Sequence, residues 1–455
     1  MSMTRLELMT TSFPGGKKKQ GRQWAALVDD DGEENEVINL YPRREYQVFE
    51  GAGGAFTDAA GYVFSLMDEG TRKKLIEAYF GPGGAGYTLG RVHLDSCDFS
   101  RNHYEAMPDS ADRGLSSFSL ARDESSIFPL LRAAEQTLGG PIPLMTTFWS
   151  PPAFMKDTGK RNGGGKLLES YRAFFADYYC RYLLELRRAG FTPRRLTAQN
   201  EPKAVQTWDS CVYSAEEEMT FIRDFLYPAL KGHHLEDMEI FIWDHNKERA
   251  YERALAAGEA GILPLLKGVA VHWYSGDHFE VLKLLGETFP ALKIVQSEFS
   301  YELKYASMAD MKNTDVLLAA ERYAHDIIGN LNHGMTAFYD WNLVLDEQGG
   351  PNHAGNYCDA PFIYHPGSGA LEERPIYSYI AHVSRHIRPG AKRIALSRYA
   401  DNPECTAFRD PRGGLVLVML NRTERALPVS LRIEGKLAGF LLPPRSIATG
   451  LLGAP

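Results

Sequence analysis

The chain has 455 residues, 44% of them hydrophobic and 24% charged, with a formal net charge of −8 and five cysteines, proportions of a soluble globular enzyme with one large and one smaller domain. The acidic balance argues against a nucleic-acid or anionic-membrane partner, and no run of about 18 apolar residues offers a membrane span. Met1 to Gln20 lacks a basic-then-apolar leader, and Cys97, Cys180, Cys211, Cys358 and Cys405 are scattered and odd in number, so neither a disulfide framework nor a zinc site is expected and a cytoplasmic location is.

Short strands open the chain. Residues 5–9 alternate in polarity, Lys17-Lys18-Lys19 reads as a solvated hairpin tip, and 24–28 and 36–40 read as further strands. The middle changes character. Strands over 46–55, 88–95, 142–149, 195–200, 239–244, 268–274, 293–298 and 335–341 alternate with helices over 68–80, 168–189, 215–230, 250–257, 279–289 and 315–331. Eight such strands suggest an α/β fold, a (β/α)8 TIM barrel; a doubly wound sheet stays open, because periodicity alone does not close a barrel. The chain then returns to strands, at 414–420 (GLVLVML), 426–433 and onward to Leu452. Both ends are β-rich, so they are expected to pack together as an all-β sandwich side domain. The expected division is 1–44 for its N-terminal strands, 45–388 for the catalytic barrel and 389–455 for its C-terminal strands.

Two glycine signals carry no cofactor. Gly81-Pro82-Gly83-Gly84-Ala85-Gly86 has dinucleotide-binding spacing but follows a helix and precedes a strand, the reverse of the required order. Gly163-Gly164-Gly165-Lys166 lacks the Ser/Thr of a P-loop. Both read as loops, and no cofactor is expected. His233-His234 and Asp244-His245 lack a second ligand spacing, so no metal is expected either.

Barrel active sites lie at the C-terminal ends of the strands. Reading those ends gives Asp95, Asp98, Trp149, Asn200, Glu201, Asp244, His272, Tyr274, Glu298, Trp341 and Asn342. Carboxylates, aromatics and amides dominate, which is what sugar chemistry needs: aromatic faces for the C–H faces of a pyranose, acids and amides for its hydroxyls. Glu201 ends the fourth strand, and Pro202 is expected to stop the ladder and hold Glu201 extended. Glu298 ends the seventh. Either glutamate alone reads equally as a rim residue in a turn. Two facing each other across a barrel mouth suit glycoside hydrolysis, where two carboxyl groups flank the scissile bond. His272 and Tyr274 alternate with Trp273 and share one face, although a satisfied core histidine would look the same.

Several stretches in order resemble glycoside hydrolase family 30, the group of glucosylceramidase-like β-glycosidases. They are 49–58 (FEGAGGAFTD), 86–92 (GYTLGRV), 96–100 (SCDFS), 149–152 (WSPP), 162–165 (NGGG), 199–202 (QNEP), 272–274 (HWY), Ser297-Glu298, and 340–343 (DWNL) through 349–352 (GGPN). The resemblance implies Glu201 as general acid/base and Glu298 as nucleophile. It also implies that Asp98, Trp149, Asn200, Trp341 and Asn356 line the subsite for the non-reducing sugar. His272 and Tyr274 would flank the nucleophile, with Arg91 nearby. After Pro202 the chain departs from the glucosylceramidase pattern, reading 203–211 as KAVQTWDSC, which puts the leaving group in doubt. The implied activity is exo-acting, retaining hydrolysis of a small β-glycoside or oligosaccharide, most simply a β-glucoside. A β-xylosidase or endo-β-1,6-glucanase comes next. A non-catalytic carbohydrate-binding barrel fits less well, because both glutamates are present. An NAD-dependent barrel would need a glycine cradle near the last strands that the sequence lacks.

In the retaining route Glu298 attacks the anomeric carbon while protonated Glu201 serves the leaving oxygen, the carboxyls standing about 5–5.5 Å apart. The charge on Glu298 is expected to keep Glu201 protonated, and Arg91 to keep Glu298 ionised.

Overall fold

A computed structural model describes residues 5–303 and 313–453. Eight parallel strands close into a barrel: Gly51–Ala55, Leu89–Leu94, Pro143–Phe148, Thr192–Thr197, Glu239–Asn246, Leu266–His272, Lys293–Glu298 and Met335–Asp340. They are called the first to eighth barrel strands below. Closure follows from pairing of the eighth with the first, Ala337 opposite Gly51 and Asp340 opposite Gly54. The strands are buried by a ring of helices, which is why they read as continuous apolar runs without alternation. Small residues in the first strand allow close approach: a Cβ on Gly53 would lie 2.2 Å from the Leu89 carbonyl oxygen.

The expected strand 46–55 is two elements. Val37–Val48 belongs to the side sheet, whereas Gly51–Ala55 belongs to the barrel. The chain changes sheets where the Phe49 N–H donates to Ala391 and the Glu50 N–H donates to Thr336. The expected helix 215–230 is also interrupted. Ser214 caps it in a reciprocal box with Glu217, but a π-turn over Ile222–Leu226 separates Ala215–Phe221 from Tyr227–Gly232. Pro228 has no N–H to give the preceding turn, so the regular ladder is broken just before it. Helices Asp58–Leu66, Ile127–Leu138 and Pro375–Ser384 add to the expected set. The first is apolar or small over most of its length and mostly buried, so it lacks the polar face that periodicity detects.

A ten-stranded sheet lies beside the barrel and draws strands from both ends of the chain. Arg5–Ser12 pairs with Lys19–Ala26 on one side and Ser446–Leu452 on the other, and Val37–Val48 runs between Lys392–Arg398 and Leu427–Ile433. It encloses a second core in which Leu6, Leu8 and Ile38 meet Leu417, Met419 and Leu431. Lys17, Lys18 and Lys19 sit exposed at the tip between the first two strands. No helix among the described residues is long and apolar enough to cross a membrane.

Candidate active site

The C-terminal ends of the barrel strands converge on a cavity of about 120 Å³. It is lined by Asp98, Trp149, Glu201, Tyr274, Glu298, Trp341 and Asn356, with Phe99, Gln206, Trp208, His245, Asn246, Glu302 and Cys358 completing the wall. Seven of the ten residues expected at the site thus face one space. Arg91, Asn200 and His272 stand behind the lining and act on it through hydrogen bonds.

Glu201 follows the fourth strand, but it is not extended. Its φ is +46°, in the left-handed region. Its N–H donates to the Asp244 carbonyl at 2.9 Å, and its own carbonyl accepts from Ala204 at 2.8 Å in a tight turn. These two bonds fix the backbone against the bias of Pro202. Asp95, Trp243, Asp244 and Asn342 also have positive φ, so unusual backbone collects at this mouth of the barrel.

Glu298 ends the seventh strand. Arg91 Nη1 donates to its Oε2 at 2.7 Å and the Tyr274 hydroxyl donates to its Oε1 at 2.9 Å. Arg91 is fully buried and acts as a hub. Its Nη2 donates to Asn200 Oδ1 at 2.9 Å and to Asp244 Oδ2 at 3.0 Å. Asn200 therefore offers its oxygen to Arg91 and keeps its amide N–H groups for another partner. Asp244 takes further bonds from Thr197 and Ser297. The alternation expected around Trp273 holds: His272 and Tyr274 turn to the glutamates, while Trp273 packs on Phe299 and Tyr323.

His272 is the second hub. Its Nδ1 lies 3.1 Å from Glu201 Oε1 and its Nε2 lies 3.0 Å from Asp244 Oδ1. Burial lowers its affinity for a proton, but Glu298, Asp244 and Glu201 outweigh that and push its pKa up to about 9. Both ring nitrogens then donate. Burial alone would raise the Glu201 carboxyl; the His245 and His272 contacts win and hold it well below the usual carboxylate range. Burial raises Glu298, against the pull of His272 and Arg91, with the charge on Glu201 adding to the rise. This order is the reverse of the one expected from two carboxylates alone, because the imidazolium lies against Glu201.

On the opposite wall Trp149 and Trp341 stack at 5.1 Å and 24°. Asn356 Nδ2 donates to Asp98 Oδ2 at 2.9 Å, and Asp98 Oδ1 is buried without a partner. Burial, then Glu298, raises the Asp98 pKa to about 7. The loop after Pro202, where the sequence departs from the resembled pattern, sends Gln206 and Trp208 into the cavity. His245 was missed as a site residue. Its signal was present in the fifth strand, where it follows Asp244 and lies 3.6 Å from Glu201. Asp95 and Asn342, also at strand ends, turn elsewhere, to Tyr178 and Thr57.

Among the described residues, two groups place three possible metal ligands together: Glu201, His245 and His272, and His103, Asp209 and His353. In the first, both nitrogens of His272 are already engaged by carboxylates.

A family profile described as the glycosyl hydrolase family 30 TIM-barrel domain matches residues 49–387, and one described as that family's beta sandwich domain matches 390–450. Lysosomal acid glucosylceramidase of Mus musculus is 30% identical over 87% of this chain and 79% of its own. Putative glucosylceramidase 3 of Caenorhabditis elegans is 31% identical over 91% of this chain and 82% of its own. Among solved structures, SrfJ from Salmonella typhimurium is 36% identical with a TM-score of 0.93, covering 98% of this chain and 99% of that one.

Proposed function

Because the chain belongs to glycosyl hydrolase family 30, and is a glycoside hydrolase, we propose that it cleaves β-glucosides with retention and in exo fashion, through a covalent glycosyl-enzyme. The observation that carries this reading is the pair Glu201 and Glu298 on one small cavity, each held by its own cationic partner. Glu298 is the nucleophile: Arg91 and Tyr274 fix both of its oxygens, orienting the carboxylate and stabilising its charge as it attacks the anomeric carbon. Glu201 is the acid/base. The bond between His272 and Glu201 holds one proton that either side can carry, so Glu201 can protonate the leaving oxygen and His272 can refill it. In the second step Glu201 takes a proton from water, which releases the sugar with its configuration retained.

Asp98, Asn356, Asn200, Trp149 and Trp341 form the non-reducing sugar site. The unpartnered Asp98 Oδ1 is an acceptor waiting for a hydroxyl, and burial without one is costly. The small volume of the cavity, about 120 Å³, supports exo action on a terminal sugar. Its relatives named glucosylceramidase favour a glucosyl unit. The expected boundary at 44/45 falls inside the side-sheet strand Val37–Val48, so the barrel is taken to begin near Phe49; the boundary at 388/389 lies between helix Pro375–Ser384 and side-sheet strand Lys392–Arg398. The five cysteines are free and buried, which fits a reducing, cytoplasmic setting.

Nitrophenyl β-glucoside, β-xyloside, β-galactoside and β-fucoside, compared side by side with gentiobiose and a glucosylceramide, test the substrate. Highest kcat/KM on the β-glucoside supports the proposal. Preference for the xyloside would favour a β-xylosidase, and attack on internal bonds of a β-1,6-glucan would favour the endo-glucanase.

A further inference from the structure

Beside the cavity, outside the hydrolytic machinery, His103, Asp209 and His353 meet. They come from three separate segments: one after the second barrel strand, one in the loop after Pro202, and one after the eighth strand. The same segments carry Asp98, Gln206, Trp208 and Asn356 into the sugar cavity.

The arrangement leaves a positive centre missing. His353 Nδ1 lies 3.0 Å from the Ser100 carbonyl, so that nitrogen carries the hydrogen and Nε2 of the neutral ring is a bare lone pair. Nε2 faces Asp209 Oδ2 at 3.4 Å. Both atoms are buried and neither makes a well-formed hydrogen bond. His103 Nδ1 approaches the same oxygen at 3.2 Å, and the three ligand atoms lie within 4.8 Å of one another. Two lone pairs in such contact repel unless a proton or a metal cation lies between them, and against its burial Asp209 does raise the pKa of His353.

We propose that His103, Asp209 and His353 form a divalent transition-metal site, suited to Zn²⁺, that pins three loops around the sugar cavity. A tetrahedral ion about 2.0–2.1 Å from each ligand separates ligand atoms by about 3.4 Å, close to the 3.2 and 3.4 Å spacings here. The supporting contacts match those of ligated residues. His353 is oriented by the Ser100 carbonyl. The other Asp209 oxygen is held by Arg161 at 2.5 Å and Ser96 at 3.0 Å, leaving Oδ2 for the ion. Arg161 is itself shared with Glu105 and Asp95, so the acids here outnumber the one guanidinium. His103 is 45% exposed, which gives an ion an entry path and room for a water ligand.

The test is calorimetric titration of Zn²⁺ into the chelator-stripped full chain, alongside H103A, H353A, H245A and the distant control H233A. The expected result is one saturable site, weakened at least tenfold in H103A and in H353A and unchanged in H233A, with Zn²⁺ raising the melting temperature of the parent chain and of H233A but not of H103A or H353A. The exposed ring of His103 makes H103A the variant whose fold is least disturbed, and its metal-free melt serves as the control. Absence of saturable binding in the parent chain would overturn the proposal, since a proton on His353 would then satisfy the contact. Binding that persists in H103A but is lost in H245A would place the ion at Glu201 and overturn it equally.

Discussion

His272 Nδ1 lies 3.1 Å from the carboxylate of Glu201, the proposed acid/base, with Asp244 on the far side of the ring. On the proposed mechanism this contact holds the proton that the leaving group needs. H272A is therefore expected to lose about 10²-fold in kcat on glycosides whose leaving group needs a proton, within the usual range for general acid catalysis. Dinitrophenyl β-glucoside, whose leaving group needs none, should lose far less. A merely structural role would lower both substrates alike.

The pKa of His272, raised to about 9, gives a pH signature. A histidine with a raised pKa adds stability that is complete below its unfolded value of about 6.5 and is lost as pH climbs through the folded one. The melting temperature should fall as pH rises from about 6.5 to about 9, and activity on poor leaving groups should fall over the upper part of that span. Both trends should flatten in H272N, as read from melts and pH–rate profiles.

Asp98 Oδ1 is buried without a hydrogen-bond partner, while Asn356 Nδ2 donates to Asp98 Oδ2.

 On the proposed function a substrate hydroxyl is the partner expected for that oxygen. D98A should lower kcat/KM on nitrophenyl β-glucoside by about 10- to 100-fold, the range for losing a hydrogen bond to a charged group. W341A, which removes one face of the stacked pair, should also lower it, with the larger part of the change in KM.

Gly53 lets the first barrel strand lie close against the second. A methyl group there would meet the Leu89 carbonyl oxygen at 2.2 Å, and backbone cannot give way as a side chain can. G53A should destabilise the fold by about 1–3 kcal/mol, the usual range for overpacking. Denaturant unfolding, compared with G439A on the side sheet, where an added Cβ meets nothing within 4 Å, checks it.

The barrel could be read from the sequence because its strands are apolar runs ended by polar residues, and those ends are where Glu201 and Glu298 stand. The two glutamates needed only position along the chain. The proton order needed three dimensions: His272 lies 71 residues from Glu201, and no spacing rule joins it to Asp244 as well. The left-handed turn at Glu201 was likewise hidden, because the bond from its N–H to Asp244 depends on the neighbouring strand. His245 was passed over for want of a second metal ligand, although it follows Asp244 at the same strand end. The strand over 46–55 was read as one because nothing in its composition marks where the backbone leaves one sheet for the other.

The roles of the two glutamates separate in their variants. E298A should abolish turnover of every substrate. E201A should still react with dinitrophenyl β-glucoside, and added azide should give a β-linked glycosyl azide. An α-linked product would indicate inversion.

The most direct measurement is peptide mapping of the enzyme after reaction with a 2-deoxy-2-fluoro-β-glucoside bearing an activated leaving group, which slows release of the glycosyl-enzyme. The fluorosugar should be found as an ester on Glu298, at one per chain, and should be absent from E298A. A label on any other residue, or none while the parent chain turns over β-glucosides, would contradict the assignment of Glu298 as the nucleophile.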